Sequence, residues 1–508
     1  MSGRTGFLGQ PRWFGTLFVV DLWERFSFYG MLAILYLYLV ADPHDGGLGM
    51  TEGDAAALSG LYMSLVFMSA LPGGWLTDRV FGARRATLYG GLLITAGHLL
   101  LAVPADGWLY PGLGLVVAGS GLVKPGMASM VGRMYGGQPE RREAAFSLFY
   151  MSIQVSALLA PLITGFLGET VHWHLGFGAA ALGMVVGVIC YAVGWSGFGE
   201  VGARPERPLP AGELRPVLRR TGLYGALPAL LVLTGAVTDV LGLRQVLMLA
   251  GLAVLTTPVL YFRALLRAPE IGPAERGRLR ALRWMLLASS GFWLLFAQGP
   301  ALLNLFARDS VDRVVGGWTV PASWFQSVQP LFLLLLSPIA AGLWLRLGRR
   351  AGAPAKFAAG LLLGGGAFVV MAAAASAASS GAVSPLWLIA VYLLLVCGEL
   401  AVAPIGLSLA AEVAPPGFTG RMLGLFWLFA AVGAASGGQL ARLADVVPEP
   451  LYYLVLSLVG LVVGVALTVR GGSLKGRLAG AREGARDTTY DGTGAPRKAP
   501  VTPNHPNK

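Results

Sequence analysis

Charged side chains occur within apolar stretches of the sequence, where they are costly. The first stretch, residues 13–41, contains Asp21, Glu24, Arg25 and Tyr29. Their spacings of three, four and eight residues from Asp21 predict one shared helical face. At the middle of a bilayer, an ionised side chain costs about 2.5–3.5 kcal/mol on insertion scales. Such groups therefore indicate a functional site between helices rather than contact with lipid.

Two further charged residues, Lys124 and Glu399, lie near the middle of the apolar stretches 108–134 and 385–411. Asp21 lies nearer the end of its stretch, so snorkelling to an interface is an alternative for it. Glu24 and Arg25 are adjacent and point about 100° apart around a helix. We therefore expect their partners to come from other helices, and a water-filled cavity is favoured over a purely structural ion-pair network.

Carboxylates and cations in one cavity suggest a mechanism based on proton exchange. A carboxylate with a cationic neighbour can exchange that partner for a proton. Protonation of Glu24 would weaken its hold on Arg25 or Lys124, which would then receive a carboxylate of the cargo. Glu399 would receive an ammonium group. The arrangement suits a zwitterion.

The composition indicates that the chain lies in a membrane. Of its 508 residues, 55% are hydrophobic and 13% are charged, and the mean hydropathy is +0.66. Soluble domains carry about 25% charged residues. The apolar stretches are about 20 residues or longer, which favours helices over the short alternating strands of a barrel. We therefore predict an all-α membrane protein.

Basic residues collect in alternate loops, and this distribution predicts the orientation. Arginines are concentrated at residues 79–85, 133–142 and 204–220, whereas the intervening loops at 42–54 and 104–108 contain none. The positive-inside rule then places both termini in the cytoplasm, with the chain in the plasma or inner membrane of a cell. The net charge of +12 is thus an orientation signal, and no nucleic-acid partner is expected.

Fourteen membrane spans are predicted from the apolar stretches and the charged or Gly/Pro-rich breaks between them. They cover residues 13–41, 54–77, 86–104, 108–134, 143–168, 175–196, 222–240, 243–266, 281–307, 319–346, 356–378, 385–411, 421–445 and 451–470. After Arg470 the sequence is polar, and residues 471–508 are expected to form a disordered cytoplasmic tail.

Two loops repeat a similar sequence, which divides the chain into two halves. Residues 74–85 contain Gly-Trp-Leu-Thr-Asp-Arg and then a glycine and two arginines, and residues 342–350 repeat this pattern in shortened form. Each loop follows the second span of a six-span half when spans seven and eight are set aside. The repeat predicts two six-helix bundles with an additional two-helix hairpin between them. The predicted divisions are an N-terminal bundle at 1–196, linkers and hairpin at 197–280, a C-terminal bundle at 281–470 and the tail at 471–508.

Several longer motifs follow one another along the chain. They are Asp21-Leu22-Trp23-Glu24-Arg25-Phe26-Ser27-Phe28-Tyr29 with Gly30-Met31, Lys124-Pro125-Gly126, Phe149-Tyr150-Met151-Ser152-Ile153-Gln154, Phe292-Trp293 with Gln298, Trp324-Phe325-Gln326-Ser327 with Gln329-Pro330, and Gly398-Glu399-Leu400 with Ala403-Pro404-Ile405-Gly406-Leu407-Ser408. In this order they resemble the proton-dependent oligopeptide transporter family of the major facilitator superfamily. The resemblance runs through residues 12–470 and implies the superfamily's fold, with the fourteen transmembrane helices of bacterial members.

The resemblance implies a peptide symporter that uses the proton gradient as its energy source and requires no cofactor. Arg25 and Lys124 would bind the carboxylate of the substrate, and Glu399 would bind its amino terminus. Proton coupling would involve Asp21, Glu24, Arg25 and Lys124. The remaining members of the implied substrate site are Tyr29, Gln154, Trp293 and Gln329. Family members mostly act as monomers, so a monomer is expected.

The chain departs from the family pattern in ways that make the cavity less polar and less cationic. Leu32 stands where an arginine is usual, and Ala297 stands where many members have glutamate. The other departures are Asp21 for glutamate, Phe28 and Phe67 for tyrosine, and Gln154 and Gln329 for asparagine. They keep open a second interpretation, in which the fold and coupling are the same but the cargo is nitrate, a drug or a metabolite. Glu399 opposes a simple anion, which it would repel.

Two other classes of protein fit the sequence less well. A non-transporting nutrient sensor would be supported by an appended signalling domain, and the sequence offers none. An intramembrane enzyme would require a nucleophile–base pair or metal ligands, and no H-E-x-x-H motif occurs. His98 is alone in its span and is interpreted as a satisfied packing residue. The protein is therefore not expected to be an enzyme.

Overall fold

The computed structural model describes residues 5–7, 10–135, 139–210, 243–348, 352–415 and 418–479, together with isolated positions between 212 and 242. Its helices are α1 (Arg12–Val40), α2 (Glu52–Phe81), α3 (Ala83–Leu101), α4 (Leu109–Met134), α5 (Pro139–Thr170), α6 (Trp173–Val193), α7 (Leu243–Arg267), α8 (Pro273–Phe296), α9 (Leu302–Ser310), α10 (Val328–Leu347), α11 (Ala353–Ala378), α12 (Leu386–Val413), α13 (Thr419–Leu440) and α14 (Glu449–Ala479). Two short antiparallel strand pairs complete the fold: β1 (Thr5–Phe7) with β2 (Gln10–Pro11), and β3 (Val314–Val315) with β4 (Trp318–Thr319).

The helices confirm a membrane-embedded, nearly all-helical architecture. Within the described residues, ten helices are long and apolar enough to cross a membrane. Helices α1, α3 and α8, with 29, 19 and 24 residues, also have about the length of a span despite their charged residues. Thirteen of the fourteen predicted spans therefore coincide with described helices. The span predicted at 222–240 lies outside the described residues, apart from a few isolated positions.

Several boundaries differ from the prediction; helix α8, for example, begins at Pro273 rather than at residue 281. The span predicted at 281–307 consists of two helices, α8 and α9, because the chain turns between them at a Gly-Pro pair that does not continue a helix. The last helix does not end at Arg470 but continues to Ala479. Leu474 lies in this added length and is buried in the core, which stabilises the extension. Residues 480–508 of the predicted tail lie outside the described residues.

Helices α1–α6 pack as one bundle. Within it, α1 packs against α5 and α6, and α3 packs against α4 and α6. The close approach of α3 and α4 requires glycine, because a Cβ atom on Gly90 would lie 2.6 Å from the carbonyl oxygen of Gly119. A Cβ atom on Gly119 would likewise lie 2.5 Å from the carbonyl oxygen of Gly90. The small residues thus allow the two helix backbones to touch.

Helices α8–α14 form a second bundle, in which α11 packs against α12 and α14, and α8 packs against α13. Helix α7, from the predicted hairpin, packs against α2 and α13, where the two bundles meet. The two-bundle architecture predicted from the repeated loops is therefore confirmed. The two loops also share a structural detail, since Gly82 and Gly348 follow α2 and α10 with φ values of 76° and 48°. Glycine adopts such conformations without steric cost.

The two surfaces of the molecule at the helix ends differ in charge. The surface that contains the start of α1 (Arg12) and the end of α2 (Phe81) is called the basic face. The opposite surface contains the end of α1 (Val40) and the start of α2 (Glu52) and is called the acidic face. Near the acidic face, Arg442 after α13 pairs with Asp54 of α2 at 3.1 Å. This ion pair joins the second bundle to the first.

In the part of the chain that the structure describes, two seams account for most of the contact between the bundles. In the first, between α2 and α13, a Cβ atom on Gly60 would lie 2.7 Å from the carbonyl oxygen of Ala434. The same seam continues toward the basic face, where Leu71 lies 3.6 Å from the Cβ position of Gly424. The α2–α13 seam therefore follows most of the depth of the molecule.

The second seam joins α5 to the 3₁₀ helix Ala322–Ser327 that precedes α10. The carboxylate of Glu169, at the end of α5, accepts hydrogen bonds from the backbone N–H groups of Ala322 and Ser323, at 2.8 and 2.9 Å. The indole of Trp324 donates to the carbonyl oxygen of Leu162 at 3.0 Å. These bonds lie in the half of α5 nearer the acidic face. Together with the Arg442–Asp54 pair, they close the space between the bundles on that side.

Candidate functional site

Arg25 lies between two carboxylates of its own helix. Its Nε atom is 3.1 Å from Oε2 of Glu24 and 3.7 Å from Oδ1 of Asp21. The prediction that Glu24 and Arg25 need partners from other helices is wrong, because the long arginine side chain folds along α1 to reach both carboxylates. Glu24 is 1% exposed, and within the described residues neither of its oxygens has a hydrogen-bond partner. The pair is therefore held by charge without a directional hydrogen bond.

Asp21 connects α1 to α5. Its carboxylate accepts a hydrogen bond from the hydroxyl group of Ser152, and both residues are buried. Asp21 also interacts electrostatically with Lys124. Its burial among these partners excludes the alternative that Asp21 snorkels to an interface. Asp21, which is shorter than the glutamate that is usual at this position in the family, is instead contacted by Ser152 from α5.

Lys124 extends from α4 into the same region. Its ammonium nitrogen lies 5.2 Å from the ring centre of Phe28 and 5.6 Å from that of Phe67. Both distances are within the range of cation–π attraction. Lys124 also interacts electrostatically with Glu24 and Asp21. Among the described residues, however, no carboxylate is close enough to form an ion pair with it.

Glu399 faces this region from α12 of the second bundle. Its Oε2 atom accepts a hydrogen bond from the side-chain amide of Gln329, on α10, at 3.3 Å. No cationic side chain of the described residues pairs with Glu399. The second bundle therefore presents a carboxylate that has an amide donor but no counter-ion.

Two tyrosines lie near charged residues of both bundles. Tyr29, on α1, interacts electrostatically with Arg25, Glu24 and Glu399. Tyr150, on α5, hydrogen-bonds the side chain of Gln154 and also interacts with Glu399. The predicted residues of the two bundles are thus brought within interaction range of one another. We call this set the central cluster; it consists of Asp21, Glu24, Arg25, Tyr29, Lys124, Gln154, Gln329 and Glu399.

The space beside the central cluster is open. Tyr150 is 52% exposed although it contacts Gln154. Leu159, which is also exposed, lies nine residues further along α5, and at about 100° per residue this places it on the opposite side of the helix. Leu159 therefore points away from the second bundle, whose Glu399 interacts with Tyr150. The exposed side of Tyr150 therefore faces the space between the bundles.

An aromatic group borders the central cluster and joins the two bundles. Trp293, on α8, is buried, and its indole N–H has no hydrogen-bond partner within the described residues. Its ring centre lies 5.8 Å from that of Trp427, on α13. Trp427 in turn stacks on Phe67, with ring centres 5.6 Å apart and planes inclined by 10°. Trp293 therefore belongs to an aromatic group that extends from Phe67, whose ring borders Lys124; its role in the substrate site stays a prediction.

Sequence reasoning did not identify Ser152, Tyr150 or Trp427 as members of the site. Ser152 and Tyr150 lie two and four residues before Gln154 and belong to the same motif. That motif was the sequence feature that could have indicated them as site residues. Trp427 lies outside every recognised motif, and only its packing reveals it.

Two departures from the family pattern are apolar packing positions, since Leu32 and Ala297 are each 8% exposed and lie in hydrophobic clusters.

The prediction that His98 is a packing residue with satisfied hydrogen bonds is not confirmed. His98 is fully buried in α3, but neither ring nitrogen has a hydrogen-bond partner within the described residues. The same part of the chain contains no group of three or more His, Cys, Asp or Glu side chains that could hold a metal ion. His98 thus belongs to no metal-ligand group that the structure describes.

The two bundles and the charged cluster between them define the class of protein: a membrane transporter of the major facilitator fold. Residues 84–211 and 255–455 match the model of the POT family. The chain is 38% identical over 464 residues to an uncharacterized transporter, YclF, of Bacillus subtilis (strain 168), an alignment that covers 91% of this chain and 94% of that protein. This chain belongs to the POT family.

Peptide transporters are among its relatives. A di-/tripeptide transporter of Lactococcus lactis subsp. cremoris is 33% identical over 482 residues, which cover 91% of this chain and 95% of that protein. The crystal structure of a peptide transporter POT in complex with sulfate has a TM-score of 0.89 and 37% identity to this chain, with coverage of 94% of this chain and 97% of that one.

Proposed function

We propose that this protein is a proton-coupled symporter that imports di- and tripeptides or peptide-like solutes by alternating access. Its membership of the POT family and its similarity to a di-/tripeptide transporter support this proposal. The central cluster supplies the chemistry, since it contains charges of both signs that a peptide could bind. The proton gradient would provide the energy, with no cofactor.

The division of charge between the bundles is the observation that carries the proposal. Lys124, on the first bundle, and Glu399, on the second, are unpaired within the described residues. A buried charge without a partner is unfavourable. A peptide would supply a carboxylate to Lys124 and Arg25 and an ammonium group to Glu399. Such a cargo would bridge the two bundles and favour their closure around it.

Proton coupling would take place on α1. Glu24 holds Arg25 by charge alone, so a proton on Glu24 would remove that attraction. Arg25 would keep Asp21 as a partner and become available to the carboxylate of the cargo. Loss of the proton would restore the pair with Glu24 and expel the carboxylate. Proton and cargo would therefore bind together and leave together.

The orientation follows from the charges of the loops. The arginine-rich loops lie at the basic face, so the positive-inside rule assigns this face to the cytoplasm and the acidic face to the outside. Both termini would then be cytoplasmic, in a plasma or inner membrane. The structure would correspond to a state closed toward the outside, with Tyr150 exposed to the inside. One chain supplies every member of the central cluster, which is what a transporter that acts as a monomer requires.

The same fold and coupling with a non-peptide cargo is the second candidate function. The observation that favours it is the packing of Leu32 in an apolar cluster, where the family usually has a cation. A drug or metabolite with one amine and a weaker anionic group would still engage Glu399 and Lys124. Nitrate fits less well, because Glu399 would repel it.

Uptake in proteoliposomes tests the proposal. Labelled dialanine should enter in a saturable manner when an inward proton gradient is imposed, and unlabelled di- and tripeptides should compete. Glu399→Gln should reduce the affinity by tenfold or more, because a hydrogen bond to a charged group contributes about 1.5–3 kcal/mol. Glu270→Gln, in the exposed loop between α7 and α8, should leave uptake unchanged. If no di- or tripeptide competed, the peptide cargo would be rejected in favour of the second candidate.

A further inference from the structure

The ammonium group of Lys124 is bordered by two ring faces that come from different helices. Phe28 lies on α1 and Phe67 on α2, with ring centres 5.2 and 5.6 Å from the nitrogen. An aromatic face attracts a cation through its quadrupole. Unlike a carboxylate or a hydroxyl group, it leaves the N–H groups of the ammonium unbonded by strong acceptors. The rings thus attract Lys124 without neutralising it.

Each of the two rings is itself fixed by a further aromatic contact. Phe28 is 6% exposed and stacks on Tyr62, with ring centres 6.5 Å apart and planes inclined by 29°. Phe67 stacks on Trp427 of the second bundle. Stacked pairs of this kind are favourable beyond the area that they bury. The position of the Phe67 ring therefore depends on contact between the bundles.

We propose that Phe28 and Phe67 are positioning residues, which hold the Lys124 ammonium in the central cluster and keep its N–H groups available for the carboxylate of the cargo. The part of this inference that concerns cargo rests on the proposed function. Substrate affinity then depends on the two ring faces even where the rings do not touch the cargo. The stack of Phe67 on Trp427 links this dependence to closure of the bundles.

Replacement of one ring by an aliphatic side chain tests the inference. Phe67→Leu keeps an apolar side chain and removes the π face, and Phe67→Tyr keeps the ring. Binding of dialanine and of its C-terminal amide is measured by calorimetry on the purified protein. We expect Phe67→Leu to raise the Kd for dialanine about tenfold, a loss within the range of desolvated cation–π contacts. The Kd for the amide, which offers Lys124 no carboxylate, should change less than about twofold.

Two variants serve as controls. Phe67→Tyr should bind dialanine as the wild type does, because the ring face is retained. Phe26→Leu removes a ring from α1 that packs on Trp23, away from Lys124, and should leave both Kd values unchanged. An equal rise in both Kd values for Phe67→Leu, or no rise in either, would overturn the inference.

A second measurement does not depend on cargo. The protein has five lysines, so ¹³C-dimethylation followed by NMR gives few signals, and methylation keeps the charge. Methyl groups above two ring faces resonate upfield, and the signal that disappears in Lys124→Arg is assigned to Lys124. Phe67→Leu should move this signal downfield to the value of an exposed lysine, because the ammonium group would leave the face of Phe28 as well, and should leave the signal of Lys356, above Trp344 at 4.8 Å, in place. A smaller shift that kept the upfield contribution of Phe28 would refute the positioning role.

The two measurements separate the inference from the proposed function. If the wild type bound no di- or tripeptide, the peptide cargo would fail. A shift of the Lys124 signal in Phe67→Leu to the value of an exposed lysine would still support the positioning role.

Discussion

Arg25 interacts with two carboxylates of one helix, but the two contacts differ in kind. Asp21 is also bound by Ser152, whereas the oxygens of Glu24 have no hydrogen-bond partner within the described residues. Glu24 also lies closer to the guanidinium group, at 3.1 Å against 3.7 Å for Asp21. A proton on Glu24 would therefore disturb only its contact with Arg25, whereas a proton on Asp21 would also disturb the hydrogen bond from Ser152. Substitutions at the two positions should have different effects.

Glu24→Gln should abolish uptake that is driven by a proton gradient while preserving exchange of labelled for unlabelled cargo. The amide resembles a permanently protonated carboxyl group, so Arg25 stays available to the cargo but no proton is carried. Counterflow in proteoliposomes without a gradient measures the retained exchange. Wild-type activity of this variant in both assays would remove Glu24 from the coupling mechanism.

The types of the central residues were predictable from sequence, but their contacts were not. Glu24, Lys124 and Glu399 stand out because charge is expensive in an apolar span. The route of the Arg25 side chain along its own helix depends on rotamers, which spacing does not fix. Ser152 lies in the motif that contains Gln154, but it is uncharged and small, so its residue type does not mark it as the partner of Asp21.

At the scale of helices, hydropathy identified the spans because the bilayer imposes a length on each of them. It did not reveal the break between α8 and α9, since apolar residues continue on both sides of the turn. Nor did it reveal the end of α14, whose polar extension is helical because Leu474 packs in the core. Features that depend on the thickness of the membrane, such as the length and position of the spans, were therefore predictable. Features that depend on tertiary contacts, such as the break or the extension of a helix, were not.

Gly165→Val should weaken the seam between α5 and Ala322–Ser327. A Cβ atom at Gly165 would overlap the side chain of Ser323, with Cβ atoms 3.0 Å apart. The seam would have to separate, and the acidic face would open more often. A cysteine placed at Ala33, next to this seam, should then react faster with a water-soluble thiol reagent. Cys190 and Cys397 are first replaced by serine.

The matched control for this experiment is Gly114→Val on α4, where an added Cβ meets no atom within 4 Å. It should leave the labelling rate of the cysteine at position 33 unchanged. Equal rates in Gly165→Val and the wild type would show that the seam does not limit access from the acidic face.

At the scale of the whole molecule, the closed acidic face and the central cluster describe one state of an alternating-access cycle. The bundles are expected to move as rigid units about the bound cargo. The Arg442–Asp54 pair spans the bundles at the closed face. It must separate whenever that face opens.

A covalent link at this position should therefore stop transport. Cysteines at Asp54 and Arg442, in a background free of Cys190 and Cys397, are joined by a short thiol cross-linker. Uptake should fall to background after cross-linking, while dialanine still binds to protein in detergent. The same double variant without cross-linker, and each single cysteine with it, should continue to transport. Undiminished uptake by the linked protein would contradict opening at the acidic face.

The exposed position of Tyr150 has a consequence for the final step of the cycle. Its ring is 52% exposed and touches Gln154 on the cluster side, and in the proposed orientation it would stand between the charged residues and the cytoplasmic solvent. A departing solute would pass this ring after its ionic contacts have broken. We therefore expect a smaller side chain at this position to speed the escape of the solute, whereas loss of the charges behind it would weaken binding. Replacement of Tyr150 should then change the rate of exit more than the affinity.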